Sequence, residues 1–362
     1  IGAYSAFQYS ASMAAVMVWG GLFQRFGPLR VSQVALLVMA VGLALAAPGA
    51  YVLFALSGLA IGAGSAEVTP AGSHMLTRYC PPRYAPLFFS IKQTGVPIGG
   101  MLAGFMVPFL VVHLGWRGAF FTVTLLCLAL AAAFQPLRAT FDDDRQPGHR
   151  LSLADVKTTL KVVTINRGLR ELAFAGFTFV GLQVCFHAFF VTYLVKGLGW
   201  PLTTAGSVFA VSQGIAIFTR ILWGWIAANH SSPRSVLAGL GFTMTAASVV
   251  MGLYTPAWSF AAVMAVAIVF SATAISWHGV LLAEVARLAP ASEVGPVTGG
   301  VLVFIYVGMV VYPLVFGAIL GFFGSFAYGF FVGAVPALIA GLLFLRPAMT
   351  DAGGGAQVAD TR

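Results

Sequence analysis

Several side chains in this sequence stand where polar chemistry is unusual, inside long apolar stretches. A charged group at the middle of a membrane span costs about 2.5–3.5 kcal/mol on insertion scales, so Lys92, Arg220 and Glu67 are each functional candidates. Arg220 offers a guanidinium that can hold a carboxylate through two parallel hydrogen bonds. Gln213, two turns earlier on the same helix face, can line the same cavity. Lys92 offers a point cation, about seven residues or roughly 10 Å from the end of its run, deep for a side chain that reaches back to water. Each cation also has a plainer reading, Lys92 as a packing or gate residue and Arg220 as a gate near the end of its helix. Glu67 is the only acid near the middle of any apolar run. It is the proton-site candidate, with a structural partnership to Lys92 or Arg220 as the alternative. His187 and His278 can relay protons or donate to substrate, although an interior imidazole is often simply hydrogen-bonded. Tyr306 and Tyr312 can supply hydroxyls, His74 and Glu284 lie near run ends as interface or gate residues, and Phe186, Phe189 and Phe190 suit packing. An enzyme would need paired acids, a zinc-type histidine pair or a nucleophile with a base, and no span shows paired acids or a zinc pair, so neither an enzyme, a metal nor a cofactor is expected.

These groups are positioned by a chain of 59% hydrophobic and 8% charged residues, with mean hydropathy +0.94. That is too little polar surface for a water-soluble globule of this length, and lipid must solvate most of it. A hydrocarbon core of roughly 30 Å needs about 20 apolar residues per helix. Runs of that order lie near 3–24, 31–49, 51–77, 85–112, 117–137, 170–195, 203–228, 234–254, 257–284, 295–322 and 325–346. Their continuity favours helices over the alternating pattern of membrane strands. Gly95, Gly99, Gly100 and Gly104 suit close helix approach. The expectation is an all-α polytopic membrane protein.

The net charge of +9 does not mark a nucleic-acid partner, because the basic residues alternate between loops. Arg25, Arg30, Arg78, Arg138, Arg234 and Arg346 share one side, whereas Arg117 and Lys196 fall on the other. By the positive-inside rule the basic side and the C-terminus are cytoplasmic, and Trp116, Trp200 and Trp258 form an outer aromatic belt.

One long polar connection divides the spans into five and six. This gives an N-terminal half at 1–137, a linker at 138–169, a C-terminal half at 170–346 and a tail at 347–362. Within the linker, Asp142, Asp143 and Asp144 suit an exposed acidic run without metal-ligand spacing. After them, Ser152 and Asp155 make a capping pattern ahead of a short amphipathic helix on the inner membrane face. Trp19-Gly20 with Arg25, Pro28 and Arg30 is echoed about 204 residues later by Trp223-Gly224 with Pro233 and Arg234, the weak internal repetition from which many transporters are built. Cys80, Cys127 and Cys185 imply no disulfide framework.

The segment Gly20-Gly21-Leu22-Phe23-Gln24-Arg25-Phe26-Gly27-Pro28-Leu29-Arg30 resembles the signature between helices 2 and 3 of the major facilitator superfamily. The resemblance covers the whole chain. It implies eleven of twelve helices in two pseudo-symmetric halves, the first run being helix 2, helix 1 absent, and Gly20, Gln24, Arg25, Gly27 and Arg30 forming a gating loop. Gln24 stands where that family usually has Asp, and the run from Leu53 to Gly64 lacks a common Arg. Arg220, four residues before Gly224, resembles the helix 8 Arg of monocarboxylate and oxalate/formate carriers. Ser90 to Gly95 and Trp277 to Ala286 resemble helices 5 and 10 of bacterial organic-anion carriers.

The resulting expectation is a monomeric secondary transporter of the bacterial inner membrane, with a small organic anion such as a monocarboxylate as substrate and protons as a possible coupling ion. Its substrate-binding candidates are Lys92, Arg220, Gln213, His187, His278 and Tyr306, and its proton-coupling candidate is Glu67. An exporter of amphipathic drugs or neutral metabolites is the alternative. A sensor would need an output domain larger than the tail after Arg346.

Overall fold

The computed structural model describes residues 2–148, 153–290 and 293–346, and every expected apolar run is helical in it. The elements are α1 (Gly2–Phe26), α2 (Pro28–Ala46), α3 (Tyr51–Ser65), α4 (Val68–Tyr79), α5 (Ala85–Gln93), α6 (Gly95–Ala133), α7 (Arg138–Phe141), α8 (Leu153–Ile165), α9 (Arg167–Thr192), α10 (Leu202–Asn229), α11 (Pro233–Gly252), α12 (Phe260–Ala274), α13 (His278–Leu288), α14 (Val294–Phe323) and α15 (Phe326–Leu345). No strand occurs among the described residues. Nine segments among them are long and apolar enough to cross a membrane, so the protein is a multi-pass membrane protein. Ser152 of the expected capping pattern and the tail from 347 lie outside the described residues.

Three runs bend near their middles, and each bend has a cause in the sequence. Pro70 lies four residues after Ala66, and Pro97 four after Gln93, so neither carbonyl has its usual helical N–H partner. The chain accordingly bends at Ala66 and Glu67 between α3 and α4, and at Thr94 between α5 and α6. Between α12 and α13 no proline intervenes. The Trp277 indole donates to the Ala274 carbonyl at 2.9 Å, and Nδ1 of His278 lies 3.3 Å from the Ile275 carbonyl. Side chains have entered the backbone ladder. The long α6 is two helices joined at Gly115, whose φ of 69° a side chain would resist.

α1, α2, α3 and α6 pack together, as do α9 with α14 and α11 with α12 and α15. The two groups meet along two seams near the basic side. In one, Val16 and Phe23 of α1 face Gly299 and Gly295 of α14. In the other, α5 lies against α10 and α13, with Ser90 filling the space a side chain would need at Gly224 and Gly279. Farther from the basic side, Gly95 and Gly99 on α6, contrary to the close helix approach expected of them, and Gly206 and Gly214 on α10 have no neighbour within 4 Å of where a side chain would begin. The contact between the groups is therefore concentrated at one end.

Three further local expectations change. The Gly20 to Arg30 segment is not an open loop: α1 runs to Phe26, α2 begins at Pro28, and Gly27 alone turns the chain with φ 89°. The acidic run is not simply solvated. Gly27 has no side chain to cap α2, and Asp142, only 4% exposed, supplies the acceptor instead. Its carboxylate accepts from the N–H groups of Leu29 at 2.8 Å and Arg30 at 3.1 Å, and it pairs with Arg138. Asp144 binds His74 at 2.7 Å and Arg78 at 3.0 Å, while Asp143 binds Arg78 at 2.7 Å. The Arg78 guanidinium holds the Asp143 carboxyl below its ordinary range. Finally, α8 does not merely lie on a membrane face: Val163 is fully buried, and with Thr159 it packs on Gly300 of α14.

Candidate functional site

One polar constellation inside the spans is organised by α10. Gln213 and Arg220 lie two turns apart on it, a spacing that places them on one face. α10 is tied to the α12/α13 bend by Thr219 with Ser276, 2.9 Å between hydroxyls, and by the Trp223 indole donating to the Ala272 carbonyl at 2.8 Å. This brings Arg220 within electrostatic reach of both His187 on α9 and His278 at the bend. His278 stacks on Trp277, ring centres 3.8 Å apart, and His187 lies edge-on to Phe209 and meets the Gln213 side chain.

Arg220 is 3% exposed, and its Nη1 donates to the Gln93 carbonyl at 2.6 Å, across the seam between the two helix groups. That carbonyl is the one Pro97 leaves unpaired. Nε of Arg220 and Nε2 of Gln213 are buried without a hydrogen-bond partner. Unsatisfied buried donors on a helix face whose cation is within electrostatic reach of two imidazoles suit an acceptor-rich, negatively charged group. Arg220, Gln213, His187 and His278 are thus brought together.

Lys92 and Tyr306 are placed elsewhere. The Lys92 ammonium donates to the carbonyls of Val68 at 3.1 Å and Thr69 at 3.2 Å, lying over Gly72, where a methyl would sit 2.6 Å from Nζ. Glu67, 1% exposed, accepts from Ser32 of α2, and no ion pair joins it to Lys92 among the described residues. Tyr306 meets Ser12 and Tyr9 on α1, in the other seam. Of the signature residues, Gln24 accepts through its carbonyl from the Gln146 N–H at 2.6 Å, Arg25 lies over the Phe26 ring, and Gly20 is helical. Phe186 and Phe190 stack at 4.4 Å in the core, as packing residues do.

Sequence reasoning gave no role to Gln93, Ser32 or Ser276, and read Asp142 as solvated. A proline four residues after Gln93 was the available signal for a free carbonyl. Nothing local marks Ser32 or Ser276, whose partners lie 35 and 57 residues away.

A family model described as Major Facilitator Superfamily matches residues 1–283. The chain is 28% identical over 308 residues to the probable nitrate/nitrite transporter NarK2 of Mycobacterium tuberculosis, covering 83% of this chain and 75% of that one. It is 27% identical over 245 residues to monocarboxylate transporter 13 of Bos taurus, covering 66% and 54%. Among solved structures it is similar to the human organic anion transporter MFSD10 (TETRAN), with a TM-score of 0.79, 16% identity and 94% and 82% coverage. It is also similar to FucP in the outward conformation, with a TM-score of 0.74, 15% identity and 95% and 89% coverage. At these identities the two structures speak for the fold.

Proposed function

Because the chain belongs to the major facilitator superfamily, we propose that it is a secondary transporter of a small monovalent anion, a monocarboxylate or an ion of similar size such as nitrate. The observation that carries this reading is the pair of buried donors without partners on one face of α10, Arg220 Nε and Gln213 Nε2, with His187 and His278 within electrostatic reach of Arg220. The names of two relatives, a nitrate/nitrite and a monocarboxylate transporter, point to the same ligand class. Transport proceeds by alternating access, the two halves rocking about this site. The basic side, with the C-terminus, faces the cytoplasm of a bacterial inner membrane. Glu67 is the proton-coupling site: it is buried, it accepts from the Ser32 hydroxyl, and Lys92 lies within electrostatic reach of it.

Uptake of labelled lactate and of nitrate into proteoliposomes under an imposed pH gradient tests the reading. Charge-assisted hydrogen bonds contribute about 1.5–3 kcal/mol each, so Arg220→Gln should lower uptake roughly tenfold to a hundredfold. Glu67→Gln should abolish accumulation driven by the gradient and spare exchange of anion for anion. Uptake by Arg220→Gln equal to wild type, or uptake only of neutral or amphipathic solutes, would remove the anion reading.

A further inference from the structure

The contact between Arg220 and Gln93 joins a group that should hold the substrate to the seam that closes the basic side. We propose that Pro97 makes this contact possible and that the bond is an anion-released latch: Arg220 holds the basic-side seam shut until a bound anion takes over its guanidinium. This rests on the anion reading of the site above.

Three observations carry it. First, the latch acceptor exists because of one residue. In an uninterrupted helix the N–H of residue 97 would occupy the Gln93 carbonyl, but proline has none. Second, the bond crosses between the two helix groups, from α10 to the end of α5, beside the closest part of their interface. There a side chain at Gly224 or Gly279 would overlap Ser90. Third, the guanidinium is only partly satisfied: Nη1 is spent on the carbonyl, while Nε is buried without a partner and can bind an incoming anion. A carboxylate has two coplanar oxygens and nitrate three, so either can take two parallel bonds from one guanidinium. Drawing Arg220 into that geometry competes with a single bond to a neutral carbonyl, and the charged acceptor forms the stronger bonds. Binding therefore releases the seam, and an empty carrier keeps it closed. Net flux, which requires the empty carrier to reorient, is then slower than exchange. Pro97 thus acts as a positioning residue through its effect on Arg220.

The test uses Pro97→Ala, which returns an N–H to the Gln93 carbonyl and leaves every candidate anion ligand in place. Spin labels at Arg83 and His230, near the basic-side ends of α5 and α10, report seam opening by distance in protein whose three native cysteines are replaced. Without anion, wild type should show the short distance and Pro97→Ala should add a long-distance population. Adding nitrate or lactate should produce that population in wild type. In proteoliposomes, Pro97→Ala should raise net efflux relative to exchange on the order of tenfold, the effect of losing one hydrogen bond from a charged donor. An unchanged short distance and an unchanged ratio in a well-folded Pro97→Ala protein would overturn the latch, whether or not the anion is right. Opening of anion-free Pro97→Ala in a protein that responds to no anion would keep the latch and remove the anion. Should Pro97→Ala misfold, anion-free Arg220→Gln carries the distance test: opening supports the latch, and the closed distance overturns it.

Discussion

Pro70 bends α3 into α4 by removing a backbone donor, so that bend is fixed in the covalent structure. The bend between α12 and α13 occupies the matching place in the other half, yet it is held by the Trp277 indole and the His278 ring, which take carbonyls a straight helix would use. At the first bend Glu67 meets Ser32 and Lys92 meets the carbonyls of Val68 and Thr69, all within one half, while α4 beyond it packs against α14. The second faces the seam, strapped to α10 by Ser276 and covered by Ser90 of α5. Discontinuous helices at corresponding positions of two repeats commonly frame a transporter's site. Here the permanent bend carries the carboxylate, and the bend held by hydrogen bonds lies where the halves must separate.

The largest effect should come from filling the seam at the second bend. A methyl at Gly279 would overlap the Ser90 backbone and hydroxyl, and backbone cannot rotate aside. Overpacking costs about 1–3 kcal/mol, so Gly279→Ala should shift the closed population roughly tenfold to a hundredfold and cut transport in proportion. At the first bend, a methyl at Gly72 meets only the flexible end of Lys92, and Gly72→Ala should slow transport several-fold at most. Equal losses in the two variants would show that the bends are not different in kind.

A smaller contrast concerns how each bend is held. Trp277 is fully buried and edge-on to Phe179 at 5.8 Å between ring centres. Trp277→Phe removes the indole donor and part of that packing, and should cost about 1–3 kcal/mol in detergent-unfolding measurements. Pro70→Ala offers the Ala66 carbonyl a donor in exchange for the buried ring it removes, so its stability should stay within about 1 kcal/mol of wild type. A Pro70→Ala loss as large as that of Trp277→Phe would mean the first bend, too, is held by tertiary contacts.

The difference between the bends also marks what can be read from sequence. The helical, membrane-spanning character of the runs follows from hydropathy, which acts over windows of about 20 residues. Pro70 and Pro97 are visible by name, and their freed carbonyls follow from counting four residues back. Arg220, Gln213, His187 and His278 were each conspicuous as polar groups in apolar runs, but Lys92 equally so. What separated them is helix rotation, which sends Lys92 to α4 and Arg220 to Gln93. Asp142 was misread because an acid beside two others in a linker looks solvated, while the uncapped start of α2 that needs it lies 113 residues earlier. Losing that acceptor in Asp142→Ala should cost about 0.5–2 kcal/mol, as loss of a helix cap does. Asp142→Asn, which keeps an acceptor oxygen, should recover part of it.

The smallest effect should belong to the exposed neighbour, Asp143. Arg78 holds its carboxyl below the usual carboxylate range, so the folded-state pKa is depressed relative to the unfolded chain. A depressed carboxyl contributes stability that is present above the unfolded value, about 3.9, and is lost as pH falls through the folded one. The Arg78 to Asp143 contact should therefore be constant from neutral pH down to mild acid. Being open to solvent, it adds little even there, because water and salt screen such pairs. Asp143→Asn and wild type should give superimposable melting temperatures between about pH 5 and 8. The buried Asp142 one residue earlier should give a clear loss at every pH in that window when replaced by Ala. If Asp143→Asn instead lowers the melting temperature as much as Asp142→Ala, the basic-side clamp works as one charge network. In that case the capping of α2 by a single buried carboxylate is not its principal part.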